Sequence, residues 1–196
     1  MQKKSDDKYK RILQASIEVI SEKGLYKASI SEIAKKAGIA QGTFYLYFKS
    51  KHDLIPAIAD YLLTLTLKSV QEEVKEGESF WDTLKVLIAD TFKITEKHKD
   101  IIVLVYSGLA FNHSLDKWEL VYEPYYSWLG NVMEKAVKQN EIRSTTNVKW
   151  TSKTIINLIE NAAERYYIGQ EQDQSLEKYQ AELFNFIKRS LLLLNE

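Results

Sequence analysis

Between Ser29 and Lys51 the chain reads SISEIAKKAGIAQGTFYLYFKSK, a stretch whose polar groups are spaced for reading a nucleic acid and not for covalent catalysis. Ser29 followed by Glu32 is a capping box. The Ser oxygen accepts from the third helical N–H, and the Glu carboxylate accepts from the cap's own N–H. Ile33, Ala34 and Ala37 then share one face, and Gly38, which tolerates a left-handed backbone, stops the helix. A second short helix begins near Gln41 and carries Thr43, Tyr45 and Tyr47 on surfaces that a buried helix would fill with aliphatics. Ser50 and Asp53 form a second capping box, which opens a third and much longer helix. Two short helices joined by a tight Gly-containing turn make a helix-turn-helix, whose second member enters the major groove. A purely structural helical hairpin carries the same caps and the same glycine, so charge has to decide.

Charge favours the DNA reading. Residues 1 to 52 hold eleven Lys/Arg against five acids, a net of +6, and the remaining 144 residues carry a net of −6. A neutral total therefore hides a basic head on an acidic body, which points to a polyanion at one end only.

An enzyme is poorly supported. His52, His98 and His113 have no metal-ligand spacing to one another or to carboxylates, and no Gly-rich phosphate loop or nucleophile elbow occurs. Zero cysteines exclude disulfides and thiolate metal sites and fit a reducing cytosol. No cofactor and no metal is expected. The N-terminus has no apolar core segment of the secretory kind. The longest apolar run, Ile101 to Tyr106, is far below the ~20 residues that cross a bilayer. A soluble, cytoplasmic protein is expected.

The elements that must hold the reading stretch are all helical. Periodicity is helical almost throughout, and only two prolines and seven glycines interrupt 196 residues. About nine helices are expected: 6–22, the two short ones, a long one after Ser50, then 78–97, 100–111, 115–140, 147–168 and 174–194. Pro124 is expected to kink its helix or mark where the main part begins. The predicted fold is all-α, a three-helix head over 1–52 and a larger helical body over 53–196.

The opening helix ending in EKG, then Ser29-Ile30-Ser31-Glu32-Ile33-Ala34, Ala37-Gly38-Ile39, Gly42 to Phe48 and Lys51-His52-Asp53-Leu54 resemble the N-terminal domain of the tetracycline-repressor (TetR) family. The resemblance covers about residues 8 to 56, and the rest matches in helical pattern only. It implies a homodimer with a helix-turn-helix head on a palindromic double-stranded operator and a ligand-sensing body, released from DNA by a small molecule.

By position, Gln41, Gly42, Thr43, Tyr45 and Tyr47 resemble the family's groove contacts, and Ser29 and Lys51 resemble its phosphate clamps. Gln41 suits an adenine N6/N7 edge, the Thr43 methyl suits a thymine, and Gly42 lets the helix start approach the DNA closely. Tyr45 and Tyr47 suit phosphates through their hydroxyls. No arginine occurs between 29 and 52, so specificity is expected to lean on A·T contacts and DNA shape. Phe44, Phe48, Ile33, Ala34 and Leu54 are expected in the core.

In the body, Phe80, Phe92, Tyr106, Trp118, Tyr122, Tyr126 and Trp128 are candidates to line an effector pocket, although the same rings would equally fill a core. An apolar or amphiphilic effector is favoured. Glu119, Glu123 and Glu160, set among aromatics, also admit a cationic one. Ile155, Ile159, Ala162, Tyr166, Ile187 and Leu191 are candidates for the dimer interface, again with ordinary core packing as the alternative. The competing function is a helical protein-interaction module whose basic head binds an acidic partner. Salt-sensitive binding to a palindrome discriminates the two.

Overall fold

The computed structural model describes residues 2–109 and 115–192, and side chains over 7–105 and 119–192. Among the described residues there are eight α-helices, one 3₁₀ turn and no strand. The helices are α1 (Gln2–Lys23), α2 (Ile30–Lys36), α3 (Gln41–Phe44), α4 (Leu54–Glu73), α5 (Phe80–Leu109), α6 (Leu115–Lys138), α7 (Val148–Tyr167) and α8 (Leu176–Leu191). The 3₁₀ turn, Lys51–Asp53, leads into α4.

Eight helices stand beside the expected nine because α5 takes in both the expected 78–97 helix and the described part of the 100–111 helix, on either side of a kink. α5 runs through both and breaks at His98, whose φ of −119° and ψ of 17° are not helical. α6 passes through Pro124 as one helix. The carbonyl that loses its partner there belongs to Leu120, which is exposed, so water can satisfy it.

The chain forms two compact units. The first comprises Met1–Tyr61 and Asp100–Val121, and the second Leu62–Lys99 and Tyr122–Glu196. The first unit thus takes in the front of α4 and a later segment beyond the 52/53 division expected from charge. Its interior is built on the fully buried Ile12, Ile33, Phe44, Leu54, Ile55 and Ile58. Tyr9 stacks on Phe48 at 5.4 Å, and Phe48 tilts against Phe44 at 5.5 Å. Full burial of Phe44 contributes roughly 2–3 kcal/mol to holding α3. In the second unit Leu84, Leu87, Leu129, Met133, Ile142 and Ala163 are fully buried.

Candidate nucleic-acid and effector sites

The two capping boxes read from the sequence are both formed. Ser29 accepts from the Glu32 N–H at 3.2 Å, and its own N–H donates to the Glu32 carboxylate at 3.1 Å. The Ser50 N–H donates likewise to Asp53 at 3.0 Å. Hydrogen bonds from Lys23 and then Ser29 hold the Glu32 carboxyl down at about 2, so this cap is ionised through the whole physiological range. α2 ends at Gly38, whose φ of +65° is the left-handed value a glycine accepts freely. The Ile39 N–H returns to the Ala34 carbonyl at 3.0 Å, and the Arg11 guanidinium donates to the Gly38 carbonyl at 3.2 Å. Cap, stop and guanidinium fix the angle at which α3 leaves α2.

α3 is one turn long. Phe44 and Phe48 pin its inner side, and Gln41 and Gly42 stand exposed on the outer side. Thr43 is half-buried. Tyr45 is 50% exposed, with its ring edge on Phe44 at 5.7 Å, and the half-buried Tyr47 leans on Tyr9 at 6.3 Å. Leu46, between the two tyrosines, is 81% exposed. Sequence reasoning missed it, yet Phe44 and Phe48 on the inner face place residue 46 opposite. In the same unit Lys27, Lys35 and Lys49 are exposed and hold no ion pair among the described residues. Lys36 is tied to Glu18 at 2.9 Å and Glu22 at 3.1 Å, and Lys23 to Glu32.

Two expected phosphate contacts, Ser29 and Lys51, already have partners within the chain. The Lys51 ammonium donates to the carbonyls of Leu25 and Tyr26 at 2.8 Å and of Ala28 at 3.2 Å, which uses all three of its donors. Lys51 closes the loop between α1 and α2. The Ser29 hydroxyl, besides accepting from Glu32, donates to the Glu32 carboxylate at 2.8 Å, so its proton is already committed.

The aromatic candidates of the body fall into three separate groups. Phe92 is fully buried against the rings of Tyr166 at 6.2 Å, Tyr167 at 6.2 Å and Tyr179 at 6.0 Å, and belongs to the core. Phe80 and Trp128 border an open depression of about 490 Å³, with Gln71, Lys75, Lys135 and Glu141 on its rim. Tyr122 and Tyr126 stack at 5.3 Å, and their hydroxyls reach Glu160 at 3.0 Å and Asn157 at 3.5 Å. The side chains of Tyr106 and Trp118 lie outside the described residues.

Burial pushes Glu160 up to about 8, against a hydrogen bond from Tyr122 that favours the charged form. The folded protein therefore holds this proton more tightly than the unfolded chain, whose value is near 4.5. Stability from this group is greatest below about pH 4.5 and declines as pH rises toward 8. Glu160→Gln is expected to flatten that decline. Melting temperatures at pH 5 and pH 8 would test it, and an unchanged difference would place the group in water.

The expected dimer residues lie inward in the single chain. Ile155, Ile159, Tyr166, Ile187 and Leu191 are buried within the single chain, where they pack the body's own interior, and Ala162 is half-buried. Apolar spacing of three and four locates a buried stripe but does not say whose atoms cover it. The large side chains that do face outward on these helices are Trp150 on α7 and Phe186 on α8, 65% and 62% exposed.

The family described as "Bacterial regulatory proteins, tetR family" matches residues 12–58, and "Tetracyclin repressor-like, C-terminal domain" matches residues 84–191. The chain is 61% identical to the HTH-type transcriptional regulator YvdT of Bacillus subtilis over 97% of its own length and 98% of the relative's. It is 23% identical to the fatty acid metabolism regulator protein of the same organism, over 87% of this chain and 89% of that one. Among solved structures, FadR from Bacillus subtilis in complex with stearoyl-CoA superposes with a TM-score of 0.74 at 23% identity, covering 91% of this chain and 97% of that one. FadR from Bacillus halodurans matches with the same TM-score at 20% identity, over 92% and 97% of the two chains. These structural likenesses establish the fold.

Proposed function

The chain belongs to the tetR family of bacterial regulatory proteins, and from that premise we propose that it is a homodimeric repressor released from a palindromic operator by an amphiphilic effector. As a member of that family it is a ligand-responsive DNA-binding transcriptional regulator. The observation that carries the reading is α3 itself, a single turn pinned from below by Phe44 and Phe48 with Gln41, Gly42, Tyr45 and Leu46 left facing out. A buried aromatic foot under an exposed polar face suits a probe that must sit rigidly in a groove.

In this reading residues 1–52 bind DNA, and 53–196 bind the effector and the second subunit. Lys27, Lys35 and Lys49 supply the salt-dependent attraction to phosphates. Tyr45 and Tyr47 hold the register through phosphate oxygens, Gln41 and Thr43 read base edges, and Leu46 packs on a thymine methyl. The outer faces of α7 and α8, with Phe186 as the apolar anchor, pair two copies so that two half-sites are read together. The stearoyl-CoA complex of FadR supports an amphiphilic effector. A regulator of this kind works in the cytoplasm, where the chromosome is.

Selection from a random duplex library tests the reading. An inverted repeat with A·T-weighted half-sites and salt-sensitive affinity is expected. Recovery of no preferred sequence would overturn it. Gln41→Ala is expected to erase discrimination at one base position per half-site, a loss of about 1–3 kcal/mol there. Equal weakening on every sequence would instead make Gln41 a backbone contact.

A further inference from the structure

α3 has little of its own with which to fix the residues beyond it. It is four residues long, and its cap, Ala40, offers no side-chain acceptor. The Leu46 and Tyr47 N–H groups donate three residues back, to the carbonyls of Thr43 at 3.2 Å and Phe44 at 3.0 Å, so Tyr47 stands in a turn past the helix end. A single turn is not stable through its own hydrogen bonds, so the groups packed on it decide where it stands. For Tyr47 that group comes from α1. The ring of Tyr9 stacks on Phe48 at 5.4 Å and 25°, and tilts against Tyr47 at 6.3 Å and 51°. Both separations fall in the range at which aromatic rings attract. The two hydroxyls differ. Burial, and then the Asp60 carboxylate on α4, push the Tyr9 phenol above its ordinary value, as befits an oxygen drawn away from water and beside an acid. That makes it a poor partner for a phosphate. The Tyr47 hydroxyl has no hydrogen-bond partner among the described residues.

We infer that Tyr9 is a positioning residue for operator binding: its ring sets where the Tyr47 hydroxyl meets a DNA phosphate, without touching the DNA itself. This rests on reading Tyr47 as a phosphate contact, and it adds α1 to the machinery that aims it. A half-buried phenol with a choice of rotamers gives up that choice when it is held on a phosphate. A ring already leaning on its neighbour has given it up before the duplex arrives, so more of the hydrogen bond survives as affinity. A Tyr9 that served the core alone would behave differently. Its loss would lower the stability of the first unit and weaken every DNA contact alike.

A double-mutant cycle separates the two, using the full chain, titrations on the selected operator and melting curves of each free variant. Tyr47→Phe removes the hydroxyl and is expected to weaken binding about tenfold. Tyr9→Leu leaves Tyr47 unbraced and is expected to lose a similar factor. Tyr9→Phe keeps the ring and is expected to bind within about twofold of the unaltered protein. Tyr9→Leu combined with Tyr47→Phe should fall no more than about twofold below Tyr47→Phe alone, because an absent hydroxyl has no position to lose. Combined with Gln41→Ala, the loss from Tyr9→Leu should multiply in full, since base reading at Gln41 does not pass through Tyr47. Tyr9→Met, a more adaptable filler, takes the place of leucine in the cycle if that variant melts below the assay temperature. Losses that multiply in the Tyr9 and Tyr47 pair, or full affinity in Tyr9→Leu, would refute the positioning role and leave the Tyr47 contact standing. A loss in Tyr9→Phe would also overturn it, by making Tyr9 a direct contact. Full affinity in Tyr47→Phe would remove the phosphate contact and the positioning role together.

Discussion

Gly42→Ala is expected to leave the free protein at least as stable and to weaken operator binding about a hundredfold. Nothing within 4 Å would meet a Cβ built on Gly42, and the residue does not occupy the left-handed region. The protein itself therefore has no use for the missing side chain. Alanine in a first helical turn is favoured over glycine by roughly 0.5–1 kcal/mol. If glycine is there so that the duplex can approach the backbone, the added methyl separates surfaces that should touch. A loss near 1.4 kcal/mol in each of two half-sites gives about a hundredfold in a dimer. Denaturant unfolding and a binding titration on the selected operator measure the two halves of the statement. Full affinity in the alanine variant would mean that the DNA never comes close at this point.

Lys51→Met is expected to destabilise the first unit by about 2–4 kcal/mol and to leave the salt dependence of the remaining DNA binding unchanged. Hydrogen bonds from a charged donor are worth about 1.5–3 kcal/mol each when truncated, and three carbonyls lose their shared donor here. Methionine keeps the stem's length and packing without the ammonium. A phosphate contact would behave differently: stability would hold, and the slope of log affinity against log salt would fall by about one. Unfolding curves together with titrations at several salt concentrations decide between them, and the second pattern would return Lys51 to the DNA.

These two residues mark the limit of what local sequence conveys. The capping boxes at Ser29 and Ser50, the stop at Gly38 and the buried Phe44 and Phe48 were legible because each involves neighbours within a turn or two. Lys51 finds its carbonyls 23 to 26 residues upstream, and nothing in its own surroundings announces them. Ile155, Ile159 and Ile187 were visible as an apolar stripe, but the stripe alone is silent about which surface closes over it. The burial of Asp90 was hidden for a related reason. An acid in a helix of mixed composition looks solvated until tertiary packing buries it, here to 2% exposure.

The break at His98 gives α5 two hydrogen-bonded ladders where a straight helix would have one. Cooperativity along a helix depends on an unbroken chain of such bonds, so the two arms need not open together. Native-state hydrogen exchange should therefore step at this residue, with amides before and after it reporting separate opening free energies. A helix of this length would otherwise exchange as a single block that frays from its ends.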